Sequence, residues 1–180
     1  MIYKLYSWEQ RELGDIAETY SGGTPAADNK EYYIGNIPFI RSGEISEKNT
    51  ELFINKKALS ESSAKLVKKG DILYALYGAT SGEVAISSIN GAINQAVLAI
   101  IPNTEYDSKF LMYWLRNNKN NIISTYLQGG QGNLSGAIIK SLLLTCPTLN
   151  EQRLIGIVIG EIDALITLHQ REQSQELAKS

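Results

Sequence analysis

Residues 148–180 read TLNEQRLIGIVIGEIDALITLHQREQSQELAKS and carry one continuous helical pattern. Thr148 and Glu151 have the spacing of a capping box, in which each residue satisfies a backbone N–H of the other. Behind them, one stripe recurs at helical spacing and comprises Ile155, Val158, Ile159, Ile162, Leu165, Ile166 and His169. The pattern predicts a helix from Leu149 to about Leu177, roughly 42 Å long at 1.5 Å per residue.

The apolar stripe of this helix needs a partner. Either the helix folds back on its own domain, or it forms a coiled-coil arm that packs on another helix of this chain or of a partner. Gly156 and Gly160 lie four residues apart inside it, and each costs about 1 kcal/mol relative to alanine. The two glycines predict a close approach by a partner helix or by the domain body. Length and position favour the arm.

Residues 1–147 alternate short apolar or β-branched runs with turns, which is typical of a sheet-forming domain. The predicted strands are residues 37–43, 71–78, 83–87, 92–102 and 141–147. A helix is predicted from Asp107 to about Leu127, and either Asp107 or Ser108 can cap its start. Shorter helices are predicted near residues 13–19 and 60–67. The fold class is therefore α+β: a mixed or antiparallel sheet domain over 1–147, followed by the long helix of 148–180.

Composition narrows the class of protein. A chain of 180 residues with 43% apolar and 20% charged residues is typical of one soluble domain with an appendage. No apolar run is long enough to span a membrane, and no signal peptide is recognisable. The single cysteine, Cys146, excludes an intramolecular disulfide and fits a reducing, cytoplasmic setting. The net charge of −2 argues mildly against strong binding of nucleic acid.

The distribution of charge is more informative than its sum. Residues 108–150 contain no acidic residue but include Lys109, Arg116, Lys119 and Lys140, together with many asparagines and glutamines. Such a segment could meet a phosphate backbone while its amides contact bases. The alternative is a solvated helix face that lacks acidic residues by chance.

Signals of catalysis are weak. His169 is the only histidine and falls on the apolar stripe, where it is expected to be a helix-interface residue. No zinc site and no cysteine–histidine nucleophile pair can be assembled without a second histidine or further cysteines. Asp28 with Lys30 is a poor nuclease candidate because both lie in a turn.

Five glycine-containing turns combine glycine with hydroxyl, amide, tyrosine or arginine side chains. They are residues 20–25, 40–45, 76–82, 89–96 and 127–136. Each turn alone is best explained as a plain turn. As a set held by one sheet, they predict a polar recognition surface.

Eight stretches, in order, carry a family resemblance. They are WEQRELGDI (8–16), SGGTP (21–25), GNIPFIRSGEI (35–45), KKGDILYALYGATSGEVAI (68–86), NQAVLAI (94–100), FLMYWL (110–115), GGQGNLS (129–135) and CPTLNEQRLIGIVIGEIDALI (146–166). The chain resembles a target-recognition domain of the DNA specificity subunit of type I restriction–modification enzymes. Similar domains also occur in fused restriction–methylation proteins.

The resemblance implies a non-catalytic protein that binds double-stranded DNA. The family's subunits join two recognition domains by helices that pack as an antiparallel coiled coil, and each domain recognises half of a split site. Methyltransferase subunits, which use S-adenosylmethionine, dock on the helices, and a restriction subunit that uses ATP and magnesium can join. No cofactor is expected in this chain. With one domain and one helix, it is expected to be a half-subunit that forms a homodimer, or a piece of a longer subunit.

The resemblance and the turns together predict the residues that contact DNA. Gln131 and Asn133 can pair with adenine in the major groove, and Arg41 can pair with guanine. Lys68, Lys69 and Lys119 are predicted to bind phosphate independently of sequence. The remaining predicted contacts are Ser21, Thr24, Tyr77, Thr80 and Gln95.

Two other classes of function remain open at this stage. One is a protein-interaction module whose arm binds a partner and whose turns never meet DNA. The other is a small metal-dependent nuclease that uses Asp28 or other scattered carboxylates.

Overall fold

A computed structural model describes residues 8–127 and 132–177. Within these ranges the strands are β1 (Glu9–Glu12), β2 (Ala17–Ser21), β3 (Ile37–Ile40), β4 (Leu52–Ile54), β5 (Lys65–Val67), β6 (Ile72–Ala75), β7 (Val84–Ile86), β8 (Gly91–Ile93), β9 (Val97–Pro102) and β10 (Leu143–Cys146). The α-helices are α1 (Leu13–Ile16), α2 (Lys56–Ser60), α3 (Ser108–Asn117), α4 (Lys119–Leu127), α5 (Gly136–Lys140) and α6 (Leu149–Leu177). Two short 3₁₀ helices cover Lys30–Tyr33 and Ser42–Glu44.

Three sheets organise the domain. An antiparallel sheet has the order β2-β9-β6-β7, and a mixed sheet has the order β4-β3-β8-β5, in which β3 and β8 run parallel. A two-stranded antiparallel ribbon pairs β1 with β10. The ribbon joins the first described residues of the domain to the strand that leads into α6.

The two larger sheets pack face to face. Alternate side chains of each strand point to opposite faces of its sheet, so one set from each sheet lies between the two sheets. Leu73 and Val97 from the antiparallel sheet meet Ile40 and Ile93 from the mixed sheet in one buried cluster. The other face of the antiparallel sheet packs on α1, α3, α4 and α5 in the largest cluster, which includes Leu111. The outer face of the mixed sheet is covered by α2 and the first 3₁₀ helix. This layering confirms the predicted α+β class.

The long helix begins where the sequence predicts and continues to Leu177, the last described residue. The Thr148 backbone N–H donates to Glu151 Oε2 at 3.0 Å, and the Glu151 N–H donates to Thr148 Oγ1 at 3.5 Å, which confirms the capping box. The first half of α6 lies against α3, whereas the second half extends past the domain. The helix therefore folds back on its own domain at its base and is an arm beyond it. Pairing with another helix as an antiparallel coiled coil stays a prediction.

Four predicted elements need correction. Residues 92–102 form two strands in different sheets, because the Asn94 side chain accepts from the Ala96 N–H at 3.1 Å and turns the chain. The predicted helix of 107–127 is broken at Asn118, whose N–H and side-chain amide both donate to the Trp114 carbonyl. The helix predicted near residues 13–19 ends at Ile16. The helix predicted over 60–67 is wrong: α2 ends at Ser60, and Lys65–Val67 is a strand paired with β8.

Candidate nucleic-acid interface

Four loops meet at one end of the two larger sheets. The Gly23 N–H donates to the Ile93 carbonyl at 3.2 Å, and the Leu76 N–H donates to the Ala96 carbonyl at 2.8 Å. The Leu134 N–H donates to the Leu76 carbonyl at 3.0 Å. These bonds hold residues 21–25, 76–82, 94–96 and 132–135 together, and we refer to them as the loop cluster.

The loop cluster is assembled by a close approach of backbones. An alanine Cβ at Gly22 would lie 1.8 Å from the Ile93 carbonyl oxygen, so that only glycine fits there. This approach brings the Thr24 hydroxyl to the Gln95 side chain, where Thr24 Oγ1 donates to Gln95 Oε1. Both residues are exposed. The bond fixes the carboxamide of Gln95 at a position from which it can contact a ligand.

The other predicted residues of this surface lie on the same loops. Ser21, Tyr77 and Thr80 are half-buried, and Asn133 is exposed. Gln131 falls outside the described residues. The structure thus brings together Ser21, Thr24, Tyr77, Thr80, Gln95 and Asn133, which the sequence places in four separate segments.

Arg41 is engaged by acidic side chains. Its Nε and Nη2 donate to the two carboxylate oxygens of Glu44 at 3.0 and 2.9 Å, and Nη2 also pairs with Glu51. The hydrogen bonds that Arg41 donates to Glu44, and then to Glu51, raise the pKa of its guanidinium above its usual range. Arg41 would have to give up these partners before it could pair with guanine. Its contact with a base stays a prediction.

The locally basic segment is balanced by acidic residues from other parts of the chain. Arg116 Nη1 lies 2.6 Å from Asp163 Oδ2 of α6, and the Arg116 guanidinium stands 5.3 Å from the Tyr113 ring centroid. Lys119 pairs with Glu83. Both pairs are partly exposed, which makes them weak contributors to stability. Arg116 and Lys119 are therefore less available to phosphate than the sequence implies, whereas Lys109 of α3 is exposed and has no ion pair within the described residues.

Lys68 and Lys69 lie away from the loop cluster. They follow β5, whose Val67 pairs with Gly91 at the start of β8, whereas Gln95 follows the end of β8. The Lys69 N–H donates to Asn90 Oδ1 at 2.8 Å. Both lysines are exposed. The structure does not bring them together with the other predicted DNA contacts.

The base of the arm is fixed by Gln152, which the sequence analysis missed, and by Gly156, where it predicted a close approach. Gln152 is 1% exposed; its Oε1 accepts from the Asp107 N–H at 2.9 Å, and its Nε2 donates to the Pro147 carbonyl at 2.9 Å. An added Cβ at Gly156 would lie 3.0 Å from Lys109 Cβ and 3.1 Å from Asp107 Oδ1. Both glycines face the domain body, since Gly160 approaches Tyr113. A glutamine at the fourth position of a predicted helix gives no signal of such a role.

The predicted packing stripe of α6 is divided between two environments. Ile155 and Ile159 line a groove against Phe110, Tyr113 and Trp114 of α3. The other apolar members, Val158, Ile162, Leu165 and Ile166, are at least 47% exposed. His169 is also exposed, with its Nε2 3.1 Å from the Gln173 amide. The interface role of these residues stays a prediction.

The described residues show little that resembles an active site. Across residues 8–127 and 132–177, no group of three or more histidine, cysteine, aspartate or glutamate side chains could hold a metal ion. Burial raises the pKa of the Cys146 thiol, and the nearby Arg11 lowers it only in part. Within the same ranges, no helix is long and apolar enough to cross a membrane.

The domain presents polar loops at one end of two packed sheets and carries a long helical arm, and loops held by such a scaffold are where binding residues are commonly found. The chain belongs to the family of type I restriction modification DNA specificity domains, whose sequence model matches residues 6–179. This assignment covers the sheets, the loop cluster and the arm alike.

Relatives and solved structures agree with the family. The type I restriction enzyme MjaIX specificity subunit of Methanocaldococcus jannaschii is 31% identical over 183 residues, which cover 96% of this chain and 41% of the relative. A chain from a structure on complex assembly and conformational transition of the type I R-M system has a TM-score of 0.78 at 19% identity, over 96% of this chain and 42% of that chain. The HsdS subunit of Thermoanaerobacter tengcongensis has a TM-score of 0.73 at 19% identity, over 96% of this chain and 41% of that chain. The chain thus spans about two fifths of the length of these proteins.

Proposed function

We propose that the chain recognises a specific DNA sequence as one half of a type I specificity subunit, and that it has no catalytic activity of its own. The observation that carries the proposal is the loop cluster. It gathers hydroxyl and amide side chains from four segments at one end of a rigid scaffold. Such groups contact base edges and phosphates in protein–DNA interfaces. The relatives are named specificity subunits, which agrees with this role.

Gln95 is the best-supported base contact of the cluster. A glutamine can pair bidentately with adenine, in a contact that contributes about 1–3 kcal/mol of discrimination. Thr24 donates to Gln95 Oε1 and so restrains the carboxamide before DNA binds. The second lone pair of Oε1 and both Nε2 hydrogens stay available for adenine. Asn133 is the second described candidate, on the adjoining loop.

The arm supplies the partner interactions. Beyond the part that packs on α3, α6 exposes leucine and isoleucine side chains. This exposure favours the packing of a second helix against them. A second copy of this chain, with its arm packed antiparallel to the first, would supply the second recognition domain for a two-part DNA site. Methyltransferase subunits would dock on the paired arms and a restriction subunit would join them. S-adenosylmethionine, ATP and magnesium would be used by those partners, in the cytoplasm that holds their DNA.

Methylation mapping tests the proposal. The chain is co-expressed with the methyltransferase subunit of its own source, and adenine methylation is read across the host genome. A two-part site with inverted, identical halves is the expected result, because a homodimer presents the same reader twice. Absence of methylation while the two proteins co-purify would count against the half-subunit and would leave the chain as a docking piece.

Substitutions then separate base recognition from docking. Gln95→Ala is expected to relax the methylated sequence at one position while the methyltransferase still co-purifies. Gln10→Ala, an exposed glutamine on β1 outside the loop cluster, is the matched control and should leave the sequence unchanged. An unchanged site for Gln95→Ala would remove Gln95 from the base contacts.

The exposed arm also fits a protein-interaction module that does not bind DNA. Such a module would form an arm-dependent complex and show no salt-sensitive affinity for a DNA duplex. Measuring duplex binding of the purified chain across a range of salt concentrations distinguishes the two functions.

A further inference from the structure

The most basic part of the chain lies outside the loop cluster. Residues 56–71 contain five lysines against two acidic residues, a local charge of +3 in a chain whose net charge is −2. The lysines are Lys56, Lys57, Lys65, Lys68 and Lys69, and all are exposed. The rest of the chain is therefore acidic overall, and this surface is where its positive charge is concentrated.

Like Lys109 and Lys140, and unlike Arg41, Arg116 and Lys119, these lysines have no carboxylate partner within the described residues. Among residues 8–127 and 132–177, the ion pairs of the chain involve Arg11, Arg41, Arg116 and Lys119, and none of the five lysines. The two acidic residues of the segment are both engaged. Glu61 accepts from the Tyr32 hydroxyl, and Asp71 accepts from the Lys68 N–H at 2.7 Å. The five ammonium groups are thus free to meet an external anion.

Two of the lysines flank a cleft. It has a volume of about 440 Å³ and lies where β5 ends and β3 and β8 begin, with Lys56 and Lys68 in its lining. Asn36 and Asn90 line it as well. Because Asn90 Oδ1 accepts from the Lys69 N–H, its Nδ2 donors stay uncommitted. The cleft therefore offers ammonium and amide N–H groups together, which are the donors that proteins use on phosphate oxygens.

The extent of the basic surface favours a polymer over a small anion. Lys57, Lys65 and Lys69 continue it beyond the cleft, and a DNA duplex carries one negative charge per roughly 1.7 Å of its axis. The cleft and the loop cluster lie at opposite ends of β8 (Gly91–Ile93), since Asn90 precedes this strand and Gln95 follows it.

We propose that Lys56 and Lys68, with Asn36 and Asn90 beside them, grip the phosphate backbone of a DNA duplex whose bases meet the loop cluster. This second contact rests on the proposed function and adds to it a part that is independent of sequence. It supplies the attraction to DNA that the near-neutral charge of the whole chain does not. Arg116 and Lys119 of the basic helical segment are less suited to this role, because each is already paired with a carboxylate.

The test compares two double variants with the same change in charge. Lys56→Gln/Lys68→Gln removes the cleft ammonium groups, and Lys48→Gln/Arg153→Gln removes two exposed cations elsewhere. Binding of the full chain to a duplex of arbitrary sequence is followed by fluorescence anisotropy across a range of salt concentrations. Each lost phosphate contact lowers the log–log salt slope by about 0.9, so the cleft variant is expected to lose about 1.8 and the control little.

A further variant separates the loss of charge from the loss of the lysine side chains themselves or of the fold. Lys56→Arg/Lys68→Arg keeps both charges and should retain the wild-type slope, while circular dichroism checks that every variant is folded. Equal slopes for the wild type and the cleft variant, or equal losses in the cleft and control variants, would overturn the assignment. So would a wild-type chain without salt-sensitive affinity. Sequence choice is measured separately by the methylation map, so a failed cleft and a failed loop cluster give different results.

Discussion

The buried side-chain amide of Gln152 links the start of α3 to the residue that precedes the cap of α6. It joins the Asp107 N–H at the start of α3 to the Pro147 carbonyl just before α6, and Asp107 itself caps α3 by accepting from the Phe110 N–H at 2.9 Å. The same side chain therefore satisfies the start of one helix and the approach to another. Both groups would be left without a partner if the amide were removed.

The first prediction concerns this amide. Gln152→Ala is expected to lower the free energy of unfolding by about 1–3 kcal/mol, because it leaves a buried N–H and a buried carbonyl unsatisfied. Denaturation in urea measures the loss. Gln175→Ala, on the exposed end of α6, is the control and should change little. A Gln152→Ala protein as stable as the control would mean that water replaces the amide.

The second prediction concerns acid stability at Glu44. Burial acts to raise the pKa of this carboxyl, but hydrogen bonds from the Arg41 guanidinium and from the backbone N–H groups of Glu51 and Arg41 outweigh it and lower the pKa. A lowered pKa contributes stability that is present above the unfolded-state pKa of about 4.3 and is lost as the pH falls through the folded value. Glu44→Gln should therefore lose less stability than the wild type on acidification below about pH 4.3.

Urea midpoints at neutral and acidic pH check this difference. Glu47→Gln, an exposed change in the same segment, is the comparison and should follow the wild type. If Glu44→Gln and wild type lost stability in parallel, the Arg41 contacts would not hold the charged carboxyl in solution.

At the residue scale, the sequence predicts what depends on near neighbours. The Thr148–Glu151 capping box and the Asp107 cap are visible because their partners lie three residues away. Glu51 lies ten residues from Arg41, and Asp163 lies 47 residues from Arg116. No local rule pairs Arg116 with Asp163, so Arg116 looks free in the sequence, whereas the Arg41–Glu44 pair is only three residues apart and was within local reach.

At the element scale, tertiary pairing decides between helix and strand. The segment 17–21 pairs with β9, and Lys65–Val67 pairs with β8, although both lie in stretches whose local pattern predicts helix. Their partner strands lie far along the chain, beyond the reach of a pattern in one window. The long helix needs no such partner to be recognised, since its period persists over many turns. The turn at Asn94 did have a local signal, an asparagine that bonds its own backbone two residues on.

The third prediction separates the two glycines of α6. A Cβ at Gly160 would meet only Tyr113 Oη, at 3.4 Å, so Gly160→Ala should raise the free energy of unfolding by up to about 1 kcal/mol through helix propensity. At Gly156, the backbone of Phe110 and the capping carboxylate of Asp107 leave no room for a larger side chain. Gly156→Leu should therefore lose about 1–3 kcal/mol through overpacking. Thermal denaturation of both variants checks the contrast, and a stabilised Gly156→Leu would show that α6 does not lie tightly on α3.

At the scale of the whole molecule, the loop cluster could be predicted in part. The turns look alike in the sequence, and their meeting follows from the two sheets, which set Gly23 beside Ile93 and Leu76 beside Ala96. The arrangement of the lysines could not be predicted, because it depends on which end of β8 each loop reaches.

The fourth prediction concerns self-association of the arm. Ile162 and Leu165 are 50% and 66% exposed, and a homodimer would bury them. Ile162→Glu/Leu165→Glu should shift the chain from dimer to monomer in sedimentation velocity, since charges in a coiled-coil seam are unfavourable. Gln170→Glu/Ser174→Glu adds the same charge at exposed positions of α6 outside the apolar stripe and should stay dimeric. A wild-type chain that sediments as a monomer would assign the apolar face to a different subunit.

Because α6 is attached to the domain near Gly156, a small tilt at this point displaces the far end of the arm by a larger distance. Twenty-one residues separate Gly156 from Leu177, about 32 Å of helix. A tilt of about 10° at the attachment would move the far end by roughly 5 Å, more than the 3.4 Å rise of one base pair. Substitutions among Asp107, Lys109 and Gln152 would therefore alter the number of base pairs between two recognised half-sites without touching a residue that contacts DNA. New target spacings could arise in this way from changes at the base of one helix.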